Sequence, residues 1–189
     1  MADILLPAAA AAPLRAFHWW LAAEEARQGR PLARGDLALD KVYAWAPNLK
    51  IVEHDNDTRG FRVRLFGTEL VEIYGRDLTG QVLDDVLPAR SKDVLLEGYR
   101  QAVEGSVTYE RIAFAWPDEK RLVSYERLIY PLVEDGRIGK CATVGYRAPG
   151  PRTAGLLTAP TLPSRVSTEI ANLRDAKRLQ FRHMCVENA

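Results

Sequence analysis

The chain has 189 residues, enough to bury a core without disulfide or metal staples. With 26 basic against 25 acidic residues, net charge +1, it has no overall field to gather nucleic acid or an anionic membrane. Its two cysteines, Cys141 and Cys185, lack the CxxC spacing of a zinc or redox site, so a reduced, intracellular protein is the simplest expectation.

The first residues, "MADILLPAAAAAPLR", carry an apolar run but no basic segment before it, and Asp3 and Pro7 interrupt the pattern of a signal peptide. No run approaches the roughly 20 apolar residues of a spanning helix. The expectation is a soluble, cytoplasmic protein with neither membrane nor nucleic acid as partner.

Residues 13–28, "PLRAFHWWLAAEEARQ", put Leu14, Phe17, Leu21 and Ala22 on one helical stripe, with Trp20 beside it and Gly29 past the end. So aromatic a stripe is expected to bury against the domain or against a second copy of itself. A weaker helical segment is predicted from Asp36 to Trp45, stopping before Pro47.

"LKIVEHD" (49–55) and "FRVRLF" (61–66) read as two strands joined by the "NDTRG" turn, with Phe61, Val63 and Leu65 alternating against Arg62 and Arg64. Gly67 ends the second strand. Thr68 then caps a two-turn helix in which Leu70, Ile73 and Tyr74 share a face, and Gly75 sits at the left-handed C-terminal position. "GRDLTGQVLDDVLP" is too broken for one long helix. Ser91 caps a cleaner one, with Leu95, Tyr99, Ala102 and Val103 in helical phase before Gly105.

Three strands follow, over 106–116, 121–133 and 138–147, separated by "PDEK" and by the Asp-Gly turn of "EDGR". Segregated helices and an antiparallel sheet make the fold class α+β, five strands with helices across one face. Beyond Arg147, "APGPRTAGLLTAPTLPS" reads as a linker, and 166–183 as a last helix with Ile170, Leu173, Arg174, Lys177, Arg178 and Arg182. The chain thus divides into an N-terminal segment with an amphipathic helix (1–35), a central domain (36–147) and a Pro/Ala-rich C-terminal extension (148–189).

The passage from strand through Gly67 to a short helix and "GRDLTG" resembles the first half of a PAS domain. More narrowly, "GTEL" followed by "YGRDLTG" is similar to a group of stand-alone PAS proteins of alphaproteobacteria. The resemblance spans about 40–147. It implies a sensory module, a sheet order of 2-1-5-4-3, and an N-terminal cap helix that dimerises through Leu14, Phe17, Trp20 and Leu21. It departs from two branches of the family. "GRDLTGQVL" offers Leu78 and Thr79 where blue-light members carry a cysteine, and the helix at 91–104 has no histidine where haem-binding members tend to carry theirs. Flavin-adduct and haem chemistry are therefore not expected.

Tyr74, Tyr99, Val103, Phe114, Tyr125, Ile129 and Cys141 are the candidate lining of a ligand pocket between helices and sheet. A buried tyrosine hydroxyl wants a partner that a ligand or water can supply. The same side chains would equally make an ordinary packed core, and a phase error of one residue would exchange Tyr125 for Ser124 and Glu126.

His18, His54 and His183 lie in different segments and at no ligand spacing, "HDND" (54–57) is short of a calcium loop, and Arg59, Arg62 and Arg64 lack the stacking aromatics of an RNA surface. Cys141 reads as a small buried hydrophobe. The nucleophile elbow, P-loop, GxGxxG and HExxH motifs are absent. The expectation is a non-catalytic, homodimeric sensory or regulatory module that binds a small organic ligand or signals to a separate protein such as a kinase. Two alternatives are a pure interaction module with a filled core and a small-molecule enzyme on the same scaffold.

Overall fold

The structure is a computed structural model that describes residues 11–55, 60–89, 91–115, 122–147, 166–172 and 182–186. Helix α1 (Ala11–Ala26) leads into short turns and the single-turn α2 (Leu39–Val42). Strands β1 (Leu49–His54) and β2 (Phe61–Phe66) follow, then α3 (Thr68–Tyr74), α4 (Leu83–Val86) and α5 (Lys92–Val103). The long strands β3 (Thr108–Ala115), β4 (Leu122–Glu134) and β5 (Arg137–Arg147) come next, and β6 (Val166–Asn172) and β7 (Arg182–Val186) close the chain.

All the strands pair antiparallel in one sheet of order β2-β1-β5-β4-β3-β6-β7. The five strands expected are present as β1–β5, and β6 and β7 extend the sheet beyond β3. The helix predicted over 166–183 is replaced by β6 and β7, with 173–181 outside the described residues. "VSTEIAN" is rich in β-branched side chains, and the outer edge of β3 offers it a hydrogen-bonding ladder.

The sheet is covered on both faces. On one, α3, α4 and α5 enclose Val52, Phe61, Val63, Tyr99, Tyr125 and Cys141. On the other, α1 and the 32–45 segment lie over Ile51, Leu128, Tyr130, Ala142 and Val144. Phe17 and Trp20 are fully buried there, Trp20 with its ring centroid 6.3 Å from that of Tyr130. The chain's own sheet thus covers the two aromatics expected at a dimer face, while Leu21 is 39% exposed. The side chain of Leu14 lies outside the described residues, as does that of His18.

Three local readings are corrected by packing. The helix expected from Asp36 to Trp45 is broken into a 3-10 turn at Arg34–Asp36, one turn of α2, and a second 3-10 turn at Ala46–Asn48. The Asp36 carboxylate accepts from Ala33 N (2.7 Å) and tightens the first turn, and each piece drops one apolar residue, Leu37, Val42 or Trp45, onto the sheet.

In β2, Ile51 pairs with Leu65 but Val52 with Val63, so Arg64 is the extra residue of a β-bulge. The bulge reverses the side-chain phase. Phe66 rather than Leu65 then joins Phe61 and Val63 on the face of α3–α5.

Neither Thr68 nor Ser91 makes a side-chain capping bond. Gly67 occupies the cap of α3, and a Cβ there would lie 2.2 Å from the Pro47 carbonyl oxygen. Close backbone approach, not a left-handed φ, requires this glycine. Gly75 does take the left-handed cap, with φ 79°.

The "GRDLTGQ" connection also has a physical reason. Asp77 accepts from Thr79 N (2.8 Å) and Thr79 Oγ1 (2.7 Å), which hold its carboxyl below the usual range. Gly80 N then donates to Val63 O (2.8 Å), and Val63 N donates to Gln81 O (2.9 Å). The loop thereby covers part of the edge that β2 would otherwise expose.

Candidate functional site: a buried Lys50–Arg127–tyrosine cluster

Strand β4 runs its odd positions toward α3–α5, and β3 and β1 present their even ones. Tyr125, Arg127, Glu110 and Lys50 consequently share the face that the helices cover. Glu110 and Arg127 are direct cross-strand partners, and Arg127 Nε donates to Glu110 Oε2 in a fully buried ion pair. The guanidinium also donates from Nη1 to Tyr125 OH (3.2 Å) and from Nη2 to the Leu95 carbonyl (2.6 Å). It stacks with its Cζ 4.8 Å from the Tyr99 ring centroid.

Removing such a pair from water costs several kcal/mol per ion, repaid only when geometry and extra hydrogen bonds are good. Arg127 meets that condition: burial opposes its charge, but Glu110 and the surrounding tyrosines together outweigh it and hold its pKa well above the ordinary value. Burial pushes Glu110 up, with Arg127 opposing. Glu110 Oε1 has no hydrogen-bond partner among the described residues, and a Cβ on Gly98 of α5 would lie 1.9 Å from it. Glycine in the middle of that helix is what lets the carboxylate in.

Lys50 is less well compensated. It is 2% exposed, and Glu110 is the acid that faces it. Its Nζ lies 5.2, 5.5 and 5.8 Å from the ring centroids of Tyr99, Tyr74 and Phe66. Burial, and then the charge of Arg127, hold its pKa well below the lysine value.

Two of the tyrosines are joined to each other and the third to a threonine. Tyr74 OH donates to Tyr125 OH (2.5 Å), and Thr143 Oγ1 donates to Tyr99 OH (3.4 Å). Burial raises the pKa of all three tyrosines.

These groups surround a cavity of about 10 Å³, the scale of one water, lined by Lys50, Tyr74, Tyr99, Tyr125 and Arg127 with Leu83, Leu87 and Leu95. Of the side chains expected to line a pocket, Tyr74, Tyr99 and Tyr125 therefore do so. Ile129 and Cys141 belong to the packed core beside it, and Val103 is half-buried against that core. The side chain of Phe114 lies outside the described residues. Burial pushes the Cys141 thiol up to about 12, so it stays a neutral, inert group.

Sequence reasoning missed Lys50, Glu110 and Arg127. A signal was present: the tripeptide Tyr-Glu-Arg occurs at 109–111 and again at 125–127. Two copies aligned antiparallel set each Glu opposite an Arg, Glu110 with Arg127 on the helix-covered face and Arg111 with Glu126 one step along. Lys50 could be suspected only from its place between Leu49 and Ile51 in a strand buried on both faces.

Elsewhere, Arg64 pairs with Glu53, and Arg62 donates to the Gly80 carbonyl (3.0 Å). Arg59, Asn56 and Asp57 lie outside the described residues. Among the described residues there is no group of three or more His, Cys, Asp or Glu placed to hold a metal, and no helix long and apolar enough to cross a membrane.

No protein-family model matches the chain, and neither a curated protein nor a solved structure matches it.

Proposed function

We propose that the chain is a PAS-type sensory or regulatory module that performs no catalysis and responds to a small ligand at the Lys50 cluster. The observation that carries this reading is the lysine itself. An amine buried among rings, on which the charge of Arg127 outweighs that of Glu110, costs stability, and a cluster of that kind is better explained as a ligand site than as filler. Further support comes from the strand order β2-β1-β5-β4-β3, which the resemblance implied, and from α3–α5 lying over the face that holds the cluster.

In this reading, α4 and the start of α5 transmit the signal, because Leu83, Leu87 and Leu95 form the cavity's apolar wall. An organic ligand larger than a few atoms enters only as those leucines move outward. The output passes to a second copy or to a separate signalling protein such as a kinase. A dimer built on α1 would use the exposed side bearing Leu21, since Phe17 and Trp20 are occupied within the chain.

A second reading, an interaction module with a filled core, is favoured by the small volume of the cavity. Native mass spectrometry of the protein as purified separates the two. A stoichiometric small mass released on denaturation, and lost in Lys50→Met, supports the sensor. A ligand-free mass together with stable self-association supports the interaction module.

A further inference from the structure

We infer that the Lys50 cavity is a site for a small monovalent anion of halide size, held between the Lys50 ammonium and the hydroxyl protons of Tyr99 and Tyr125. The inference rests on reading the cluster as a ligand site and names the chemistry of its ligand.

Three observations carry it. The first is the balance of donors and acceptors. Tyr125 OH accepts from Tyr74 and from Arg127, and Tyr99 OH accepts from Thr143. Each can therefore turn its own proton into the cavity, which the Lys50 amine also lines. The rest of the wall, Leu83, Leu87 and Leu95, contributes apolar side chains. Glu110 is not among the lining groups, so the donors of the wall select an acceptor-only guest, whereas a water would bring two protons of its own.

Charge is the second. Arg127 and Glu110 cancel as an ion pair, so a protonated Lys50 leaves one positive charge in a buried space. One negative charge completes the cluster, and a divalent anion would leave the site negative. The third is size. The cavity is on the scale of one water, so a halide, somewhat larger, enters with a small outward shift of the leucine wall, whereas a carboxylate, phosphate or sulfate needs a far larger one.

The groups facing Lys50 are Glu110 from β3, Arg127 and Tyr125 from β4, Tyr74 from α3 and Tyr99 from α5, with Glu97 of α5 acting on Glu110 from farther out. Because burial and Arg127 favour the neutral amine, anion entry is accompanied by uptake of a proton at Nζ. Affinity therefore rises as pH falls.

The test uses the full chain. Thermal melting is followed as sodium bromide or chloride replaces sodium gluconate at constant ionic strength, and crystals grown in bromide are examined for anomalous scattering. The expected result is a saturable rise in Tm with halide, larger at mildly acidic than at mildly alkaline pH and absent in Lys50→Met. A bromide peak should lie within hydrogen-bonding reach of Lys50 Nζ, Tyr99 OH and Tyr125 OH. Equal melting in halide and gluconate, the same halide response in Lys50→Met, or bromide found only elsewhere overturns the proposal. Should Lys50→Met fail to fold, the bromide peak in the unaltered protein decides. A saturable response to an organic acid with none to halide refutes the halide and leaves the ligand-site reading standing, while no response to either removes both.

Discussion

Lys50 Nζ lies 5.2 Å from the ring centroid of Tyr99, beneath a helix and inside a sheet covered on both faces. The contact is a cation–π arrangement when the amine is protonated, and it replaces the water shell only in part. The same lysine therefore lowers stability and marks a site.

Replacing it should show the first of these effects. Lys50→Met keeps the length of the side chain and removes the buried amine, so it should stabilise the fold by about 1–3 kcal/mol near neutral pH. The pH dependence fixes the sign. Between the lowered folded pKa and the unfolded value of 10.5, the unfolded chain binds the extra proton, so this group makes stability rise with pH across that window. Urea unfolding at a series of pH values should give a rising trend for the wild type and a flatter one for Lys50→Met. A parallel trend in both would show that the amine is hydrated.

The tyrosines set the opposite limit. Tyr74, Tyr99, Tyr125 and Tyr130 all have raised pKa values, chiefly from burial. Their contribution is fully present below the ordinary value of 10 and is lost as pH climbs from there toward the folded values. Ultraviolet absorbance should detect their ionisation together with loss of circular dichroism, as one transition. Ionisation of these four in a still-folded protein would mean that the cluster is open to solvent.

Breaking the buried pair should be severe, and breaking it twice less than twice as severe. Arg127→Met leaves Glu110 buried without its cation and should cost about 3–5 kcal/mol. Adding Glu110→Leu should recover part of that loss, a coupling that denaturant titration of the four-member cycle measures. Strict additivity would show that the two side chains act independently.

Gly67→Val should destabilise the fold strongly, by about 3 kcal/mol or more, because its Cβ would meet the Pro47 carbonyl at 2.2 Å and Val adds branches beyond that. An unchanged melting temperature would place the junction elsewhere. Gly98→Ala tests the same principle inside α5. Ala is the better helix former, yet its methyl would collide with Glu110 Oε1, so a loss rather than a gain of stability is expected.

The local pattern of the central domain was legible because its signals are local. The period-2 alternation at 61–63, the i, i+3, i+4 face of Leu70, Ile73 and Tyr74, and the left-handed Gly75 each depend on neighbours in sequence. What escaped depends on distant partners. The bulge at Arg64 moves Phe66 inward through pairing with β1, and the broken segment at 34–48 is shaped by the sheet beneath it. β6 takes its hydrogen bonds from β3, far away in sequence, and β7 pairs in turn with β6, so a stretch with helical spacing becomes extended. Tyr74, Tyr99 and Tyr125 were found by phase alone. Lys50, Glu110 and Arg127 were not, because charged side chains in strands are expected to face solvent, although Arg127 shares the phase of Tyr125 and lies under the same helices.

The most direct test of the ligand-site reading is a thermal-shift survey of halides and small organic acids on the wild type and Lys50→Met side by side. A ligand that binds only the folded state raises stability by about 2.7 kcal/mol at a hundredfold excess over its Kd, well within reach of such a survey. The expected result is at least one compound that shifts the wild type saturably and leaves Lys50→Met unmoved. If no compound shifts the wild type, or each shifts both proteins alike, Lys50 is only a buried charge in a packed core and the ligand-site reading is wrong.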